Sequence, residues 1–382
     1  MRYIRISNDN FIKKALSVSV AILLLSSCSA APAYVDDAGA DKIQPYENLM
    51  SQASANEELC FKFIIEKMIT ENGGMRTNYL DKEHNPGLAT GSDVLSESMG
   101  LLMLYAEKRN DEELFANSLE FIEEYLDIGK IISYRYSYDT GAYKVNALVD
   151  DLRIIKALLM ADSVFNRGDC VQKAMKYADR LYASNIMDGY AYDFYDENYD
   201  TTNDFITLCY IDLQTFELLG EHDKKWLDVY ENMLDIAEGA YISDGFPLFE
   251  TAYDYSLSEY VSEKINMTES VLTALNLIRI GKCPDATIAY LKDSIAKEGI
   301  YDYYSRDGEK TGDTESTAIY SICALIAEET SDEEMYAMCL NKIIGFQVLD
   351  ESSEVYGAFA DAKTFDLYSF DNLMALMAFG QR

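Results

Sequence analysis

The stretch Gly91–Ala106, GSDVLSESMGLLMLYA, decides the fold, and one carboxylate, Glu97, stands at its centre. The residues after Ser98 are almost all apolar or small, so a helix here would be hydrophobic around its whole circumference and buried on every side. Carboxylates are almost never fully buried without a partner. Glu97 either complements the helix dipole near the helix start or has a chemical role. The rest of the chain repeats this arrangement, which favours the chemical role.

Apolar periodicity predicts twelve helices after residue 46. The even-numbered ones are apolar nearly all round, as in Leu373–Phe379, and the odd-numbered ones are amphipathic, as in Leu119–Leu126. We therefore expect the even helices to be inner and the odd ones outer. The predicted segments are Glu47–Thr70, Ser92–Lys108, Asp111–Asp127, Ala147–Phe165, Asp169–Asn185, Asn203–Leu219, Lys224–Ala240, Ser262–Ile280, Pro284–Lys297, Asp313–Glu328, Asp332–Phe346 and Phe370–Phe379.

The connections alternate as well, and this alternation predicts the architecture. Links from an inner to an outer helix are short, whereas links from an outer to the next inner helix are long and dense in Tyr, Asp and Gly. Six inner helices ringed by six outer ones form an all-α (α/α)6 barrel, with every long loop on one rim. Long structureless connections are usually functional, so the site is expected there. A linear solenoid of helix pairs is the competing fold.

The N-terminus predicts export. Residues 1–28 read as a signal peptide, with a basic start, an apolar run too short for a stable membrane anchor, and Leu25–Cys28, which resembles a bacterial lipobox. That resemblance implies a lipid on Cys28 and a protein held outside the cytoplasmic membrane by this lipid alone. The alternative is a secretory signal cleaved after Ala30 or Ala31. Residues 29–46 read as a flexible tether, and residues 47–382 as a single catalytic-type barrel domain.

Charge and composition narrow the chemistry. A formal charge of −34 excludes a nucleic-acid-binding surface and favours a neutral or cationic substrate. Six cysteines besides Cys28 lie far apart without CxxC spacing, and the chain has two histidines, so neither a metal site nor an organic cofactor is predicted. The chemistry is therefore expected from carboxylates and tyrosines. We expect a monomer.

Two segments resemble signatures of family 8 glycoside hydrolases. Val94–Met103 is similar to the segment that carries the general acid, which implies that role for Glu97. Ala147–Ala161 is similar to the second signature, with Asp151 in register; the first Asp of that signature falls on Val149, beside Asp150. Asp150 or Asp151 is therefore expected to orient the sugar at the scissile bond, with Asp151 also a catalytic candidate.

The resemblance continues to about Leu277 but does not identify the catalytic base. Tyr210 is similar to the family's Ser-Tyr segment on the third inner helix. The base Asp of the family would fall on Asn266. Glu269, three residues later on the same helical face, is the first candidate for a base, although it could equally complement the helix dipole. Asp254, in the preceding loop, is the second.

The aromatic rim residues are expected to bind substrate. Tyr134 occupies the place of a family aromatic, and with Tyr136 it offers a flat face for a sugar ring. The resemblance implies an inverting hydrolase that cleaves a β-linked polysaccharide. The predicted lipid tether, by itself, suggests an exopolysaccharide of its own cell as the substrate. Two alternatives remain: a polysaccharide-binding protein without activity, suggested by Asn266, and a polysaccharide lyase.

Overall fold

Twelve α-helices alternate between two rings in the computed structural model, which describes residues 46–81 and 90–380. The signal peptide, Cys28 and almost all of the predicted tether lie outside these residues. The inner helices are α2 (Ser96–Arg109), α4 (Leu148–Phe165), α6 (Leu213–His222), α8 (Met267–Arg279), α10 (Thr317–Glu329) and α12 (Ser369–Phe379). The outer helices are α1 (Tyr46–Phe63), α3 (Glu112–Phe121), α5 (Cys170–Asn185), α7 (Lys225–Gly239), α9 (Asp285–Lys297) and α11 (Glu333–Phe346).

The inner ring is closed. Each inner helix contacts the next one along the chain, and α12 returns to contact α2. A linear solenoid would leave its first and last helices apart. The all-α (α/α)6 barrel of six helical hairpins is therefore confirmed, and the solenoid alternative is wrong. The inner helices are apolar all round because both of their sides are covered, by the neighbouring inner helices and by the outer ring.

Residues in the left-handed backbone conformation make the short connections possible. Asn110 ends α2 with φ 58° and ψ 41°, and Asn166 ends α4 with φ 56° and ψ 43°. Asn tolerates this conformation better than most residues with a side chain. Each reverses the chain direction within a few residues, so an inner helix is followed directly by its outer partner.

The long connections contain short antiparallel strands where the sequence predicted structureless loops. One rim sheet joins β1 (Val94–Leu95), β2 (Arg135–Ser137) and β3 (Gly141–Ala142). A second joins β8 (Phe205–Thr207), β11 (Ala252–Asp254) and β12 (Glu259–Val261). The other strands are β4 (Ile186–Met187), β5 (Tyr190–Ala191), β6 (Tyr195–Asp196), β7 (Thr201–Thr202), β9 (Tyr241–Ser243), β10 (Phe246–Phe249), β13 (Ile265–Asn266) and β14 (Tyr303–Tyr304).

These strands shorten three predicted helices at their starts. Segments predicted to begin at Ser92, Asn203 and Ser262 begin instead at Ser96, Leu213 and Met267. The residues in between pair as strands with other rim loops, and such long-range pairing overrides local helix propensity. The correction matters most in the third hairpin, where a 3₁₀ turn, Leu208–Tyr210, stands between β8 and α6.

The six cysteines of the described residues are free thiols, five of them buried. Within residues 46–81 and 90–380, no helix is both long and apolar enough to cross a membrane.

Candidate active site

Glu97 occupies the first turn of α2 at the rim and is 3% exposed. The turn is fixed by Ser96, whose backbone N–H donates to the Tyr134 carbonyl at 3.0 Å. Burial raises the pKa of Glu97 to about 8; the positive charge of Arg153 opposes the shift, and the negative charges of Asp150 and Asp371 add to it. Glu97 is therefore a carboxylic acid that holds its proton at neutral pH.

Arg153 on α4 joins Glu97 to Asp150. Its guanidinium Nη1 lies 2.9 Å from Asp150 Oδ1 and 3.6 Å from Glu97 Oε2. Close approach of the two helices depends on Gly100, because a Cβ there would lie 3.1 Å from Arg153 Cβ. Asp150 is completely buried and also accepts a bond from the Ser96 hydroxyl at 2.7 Å. The sequence prediction of Asp150 beside the acid thus gains a partner that it missed, Arg153.

Tyr210 is buried within range of the charges of three acids, Asp193, Asp150 and Glu97. It is 2% exposed on the 3₁₀ turn, and its hydroxyl has no hydrogen-bond partner within the described part of the chain. Burial raises its pKa, and the nearby charges of Asp193, Asp150 and Glu97 raise it further. An unpartnered buried hydroxyl is costly. It is therefore available to a water molecule or a substrate hydroxyl.

Asp193 is a site residue that sequence reasoning missed. Its carboxylate accepts bonds from the Thr207 backbone N–H and hydroxyl, both at 2.7 Å, and it is 2% exposed. Burial raises its pKa to about 7, against these two hydrogen bonds. It lies in a tyrosine-rich loop with no local signal, so only the folded chain brings it near Tyr210.

Glu269 stands in the first turn of α8, 9% exposed. Asn266 caps this helix by accepting from the Thr268 backbone N–H, and its side-chain amide donates to Glu269 Oε1 at 3.2 Å. Burial raises the pKa of Glu269 to about 8, helped by Asp193 and opposed by bonds from Asn266 and Thr251. The residue in the family's base position is therefore a helix cap that holds Glu269.

We define the rim cluster as the buried polar residues that these contacts and charges link. The rim cluster consists of Glu97, Asp150, Arg153, Asp193, Tyr210, Glu269 and Asp371.

Two predicted carboxylates have other surroundings. Asp151 accepts from the Asn146 amide at 2.7 Å, and the charges that act on it besides Asp150 are those of Arg180 and Asp127, on the side of the outer helices. Asp254 accepts from the backbone N–H of Ser256 at 2.8 Å and so caps the turn between β11 and β12.

The two predicted aromatic residues are packed against other rings. The Tyr134 ring is 3% exposed and lies 5.9 Å from that of Tyr143. The Tyr136 ring lies 5.2 Å from Tyr125 and 6.0 Å from Phe121, on the side of α3. Stacking of a sugar on either ring stays a prediction. No trio of His, Cys, Asp or Glu side chains in the described ranges is arranged to hold a metal ion.

A closed ring of six inner helices with buried carboxyl groups at one rim is the architecture of six-hairpin glycosidases. The chain is 34% identical to a solved structure described as a novel alpha-amylase from Clostridium perfringens, with a TM-score of 0.81, over 85% of this chain and 97% of that one. A cold-adapted family 8 xylanase shares the fold, at 12% identity and a TM-score of 0.59 over 87% of this chain and 90% of that one. The chain belongs to the same glycoside hydrolase family as the Clostridium perfringens protein, and its likeness to the family 8 xylanase shows a shared fold.

A further relative is "Putative lipoprotein YdaJ" of Bacillus subtilis, 23% identical over 321 residues, which cover 83% of this chain and 84% of that protein. No protein-family model matches the chain.

Proposed function

We propose that this protein hydrolyses a polysaccharide at its rim, with Glu97 as the general acid. The observation that carries the proposal is the burial of Glu97, which raises its pKa to about 8 beside an arginine and a second carboxyl group. Glycoside hydrolysis needs a carboxylic acid that is still protonated at the working pH.

The proposed reaction is a single displacement by water. Glu97 gives its proton to the glycosidic oxygen as the bond from this oxygen to the anomeric carbon breaks. Water attacks the anomeric carbon and passes a proton to a carboxylate base, so that the products are two shorter chains, one with a new reducing end. The Arg153–Asp150 pair holds the acid in place and stabilises its carboxylate once the proton has left.

Glu269 is the base that we favour. It lies on a different inner helix from Glu97, and Asn266 already orients its carboxyl group. Burial raises the pKa of both acids to about 8, so the proposal requires Glu269 to be the one that has lost its proton when water attacks, while Glu97 still holds its own. Tyr210, whose unpartnered hydroxyl is within range of the charges of Glu97 and Asp193, is suited to hold the attacking water. Asp254 and Asp151 stay candidates of second rank.

The Clostridium perfringens relative favours an α-linked glucan as the substrate, because its description names an amylase and the similarity extends over most of both chains. The signatures in the sequence favour a β-linked polysaccharide. The two linkages differ in the face of the sugar that water must attack, so the same acid can serve only one of them efficiently.

We also propose that the protein acts outside the cytoplasm, tethered through Cys28. The lipobox-like Leu25–Cys28 and the description of the Bacillus subtilis relative as a lipoprotein support this location. A polysaccharide at the cell's own surface is then the nearest substrate. Cys28→Ala cells should show longer exopolysaccharide chains than the parent; unchanged chain length would contradict this part of the proposal.

The test is release of reducing ends by the mature domain from amylose, mixed-linkage β-glucan, xylan and partly deacetylated poly-glucosamine. Wild type is compared with Glu97→Gln and with Glu107→Gln, which makes the same change at a buried glutamate near the other end of the same helix. We expect release from one class of polymer, a loss of at least about a thousandfold in Glu97→Gln, and activity within about twofold in Glu107→Gln.

Each alternative predicts a different result. Saccharide binding without new reducing ends would favour a binding protein. An unsaturated product that absorbs in the near ultraviolet would favour a lyase. Equal loss of activity in both variants would mean that Glu97 contributes only to stability.

A further inference from the structure

The third inner helix is interrupted at the point where it enters the site. Ile211 and Asp212 have ψ angles of 84°, which lie outside the helical range, so the 3₁₀ turn that carries Tyr210 is separated from α6. A single turn has little stability of its own. The position of Tyr210 must therefore come from contacts with other elements.

Two side-chain contacts hold the turn, in addition to the bond from the Leu208 backbone N–H to the Thr251 carbonyl at 2.9 Å. Asp193 accepts both bonds from Thr207, the residue just before the turn. Asn276 on α8 donates from its side-chain amide to the Cys209 carbonyl at 3.3 Å. These contacts tie the turn to a rim loop and to the helix of Glu269.

The third side-chain contact is an ion pair. Lys156 Nζ on α4 lies 3.5 Å from Asp212 Oδ2, and both side chains are almost completely buried. Asp212 also caps α6 by accepting from the Thr215 backbone N–H at 3.1 Å and from its hydroxyl at 2.7 Å. Because Lys156 follows Arg153 by three residues, as Arg153 follows Asp150, the three side chains share one face of α4.

Other charged groups surround the pair on the neighbouring inner helices. We define the lower cluster as Glu107 on α2, Lys156 on α4, Asp212 before α6, Arg279 on α8 and Glu329 on α10. Burial lowers the pKa of Lys156 to about 8, opposed mainly by Asp212. Burial would raise the pKa of Asp212, but the charges of Lys156 and Arg279 and the bonds from Thr215 bring it below its ordinary value.

We infer that Lys156 and Asp212 are positioning residues, whose ion pair fixes the interrupted third inner helix and so fixes the position of Tyr210 at the rim. The helix α4 then contributes to the site in two ways. Arg153, paired with Asp150, contacts Glu97, and Lys156 holds the turn that carries Tyr210 through its ion pair with Asp212. The catalytic consequence rests on the role proposed above for Tyr210, whereas the structural consequence does not.

Hydrogen exchange tests the structural part without any substrate. The variants are Lys156→Met, which removes the charge but keeps the length, and Asp212→Asn, which keeps a good helix cap. The control is Lys108→Met, which breaks another partly buried pair, Lys108–Glu328 at 2.9 Å, between α2 and α10. We expect backbone amides in residues 208–213 to exchange at least tenfold faster in the first two variants and at the wild-type rate in the control.

Kinetics test the catalytic part on the polymer that wild type cleaves. Lys156→Met and Asp212→Asn should each lower kcat about tenfold with KM changed less than twofold, because the turn is displaced while the rest of the site stays. In a Tyr210→Phe background neither change should lower kcat further.

The inference would be overturned by unchanged exchange in residues 208–213, by equal effects of Lys108→Met, or by losses of kcat that add to that of Tyr210→Phe. If no polymer is cleaved, the proposed function fails, and the exchange rates alone decide whether the ion pair fixes the turn.

Discussion

The barrel holds two groups of charges that differ in balance and in burial: all five carboxyl groups of the rim cluster are buried, whereas Glu329 of the lower cluster is exposed. The rim cluster sets five carboxyl groups against one guanidinium, near the N-terminal ends of the inner helices. The lower cluster sets three carboxyl groups against two cations, Lys156 and Arg279, with ion pairs at 3.5 Å to Asp212 and 3.2 Å to Glu329.

The difference indicates which cluster does chemistry. Buried charges are retained for structure when they are paired, as most of the lower cluster is. The rim cluster has more acids than its one cation can neutralise, so several of its acids must hold protons near neutral pH. Groups that exchange protons near neutral pH are what acid–base catalysis uses. On this account the lower cluster aligns the helices and the rim cluster carries out the reaction.

Within the rim cluster, the largest effect on kcat is expected from substitution of Glu269. Glu269→Ala should lower kcat by about a thousandfold, because no carboxylate then accepts the proton of the attacking water. Azide, a small nucleophile that needs no base, should restore part of the rate and give a glycosyl azide of inverted configuration, detectable by NMR.

Asn266→Asp is the matched change at the family's base position, and it keeps the helix cap. We expect it to lower kcat about tenfold, because it removes the amide donor to Glu269 Oε1 and places a second carboxyl group beside that acid. A large gain in rate, or no loss in Glu269→Ala, would assign the base to a different residue.

In the lower cluster, substitution of Glu107 is expected to change folding stability, by a smaller amount. Both of its carboxyl oxygens are buried without a hydrogen-bond partner among the described residues, and burial raises its pKa from 4.5 to about 9, opposed by Lys156. Between these pKa values the unfolded chain is ionised while the folded chain keeps the proton. Wild type should therefore lose stability as pH rises from about 4.5 to about 9.

Glu107→Gln removes the titrating carboxyl group, so the variant should not show this loss of stability with rising pH. We expect the free energy of unfolding of the variant to exceed that of wild type by about 1–3 kcal/mol at pH 7, with a difference that grows between pH 5 and pH 8. Guanidinium titrations of both proteins at several pH values measure it. A difference independent of pH would mean that Glu107 is ionised in the fold.

The pattern of apolar residues in the helices was sufficient to predict the two rings of the barrel. Apolar residues around the whole circumference of α2 and α12 placed them inside, and the alternating lengths of the connections placed the site at the rim. Glu97 and Asp150 were selected as candidates for the same reason, since a carboxylate in an apolar helix is a local signal, but that signal also selected Asp151, which has other partners.

The third hairpin shows what local pattern cannot give. Ile206, Leu208 and Ile211 have a spacing compatible with a helix, yet Ile206 pairs with Tyr253 in a rim sheet and the helix begins only at Leu213. Asp193 is distant in sequence from the residues that it orders, so no window of sequence reveals it. Arg153 could have been found, because an acid and an arginine three residues apart on an apolar helix indicate a buried pair.

Infrared difference spectroscopy between wild type and Glu97→Gln measures directly whether burial keeps Glu97 protonated at neutral pH. We expect a protonated carboxyl band, absent from the variant, that persists from pH 5 to pH 7 and disappears with a midpoint near pH 8. A carboxylate band already complete at pH 6 would contradict it, because Glu97 would then have no proton to give.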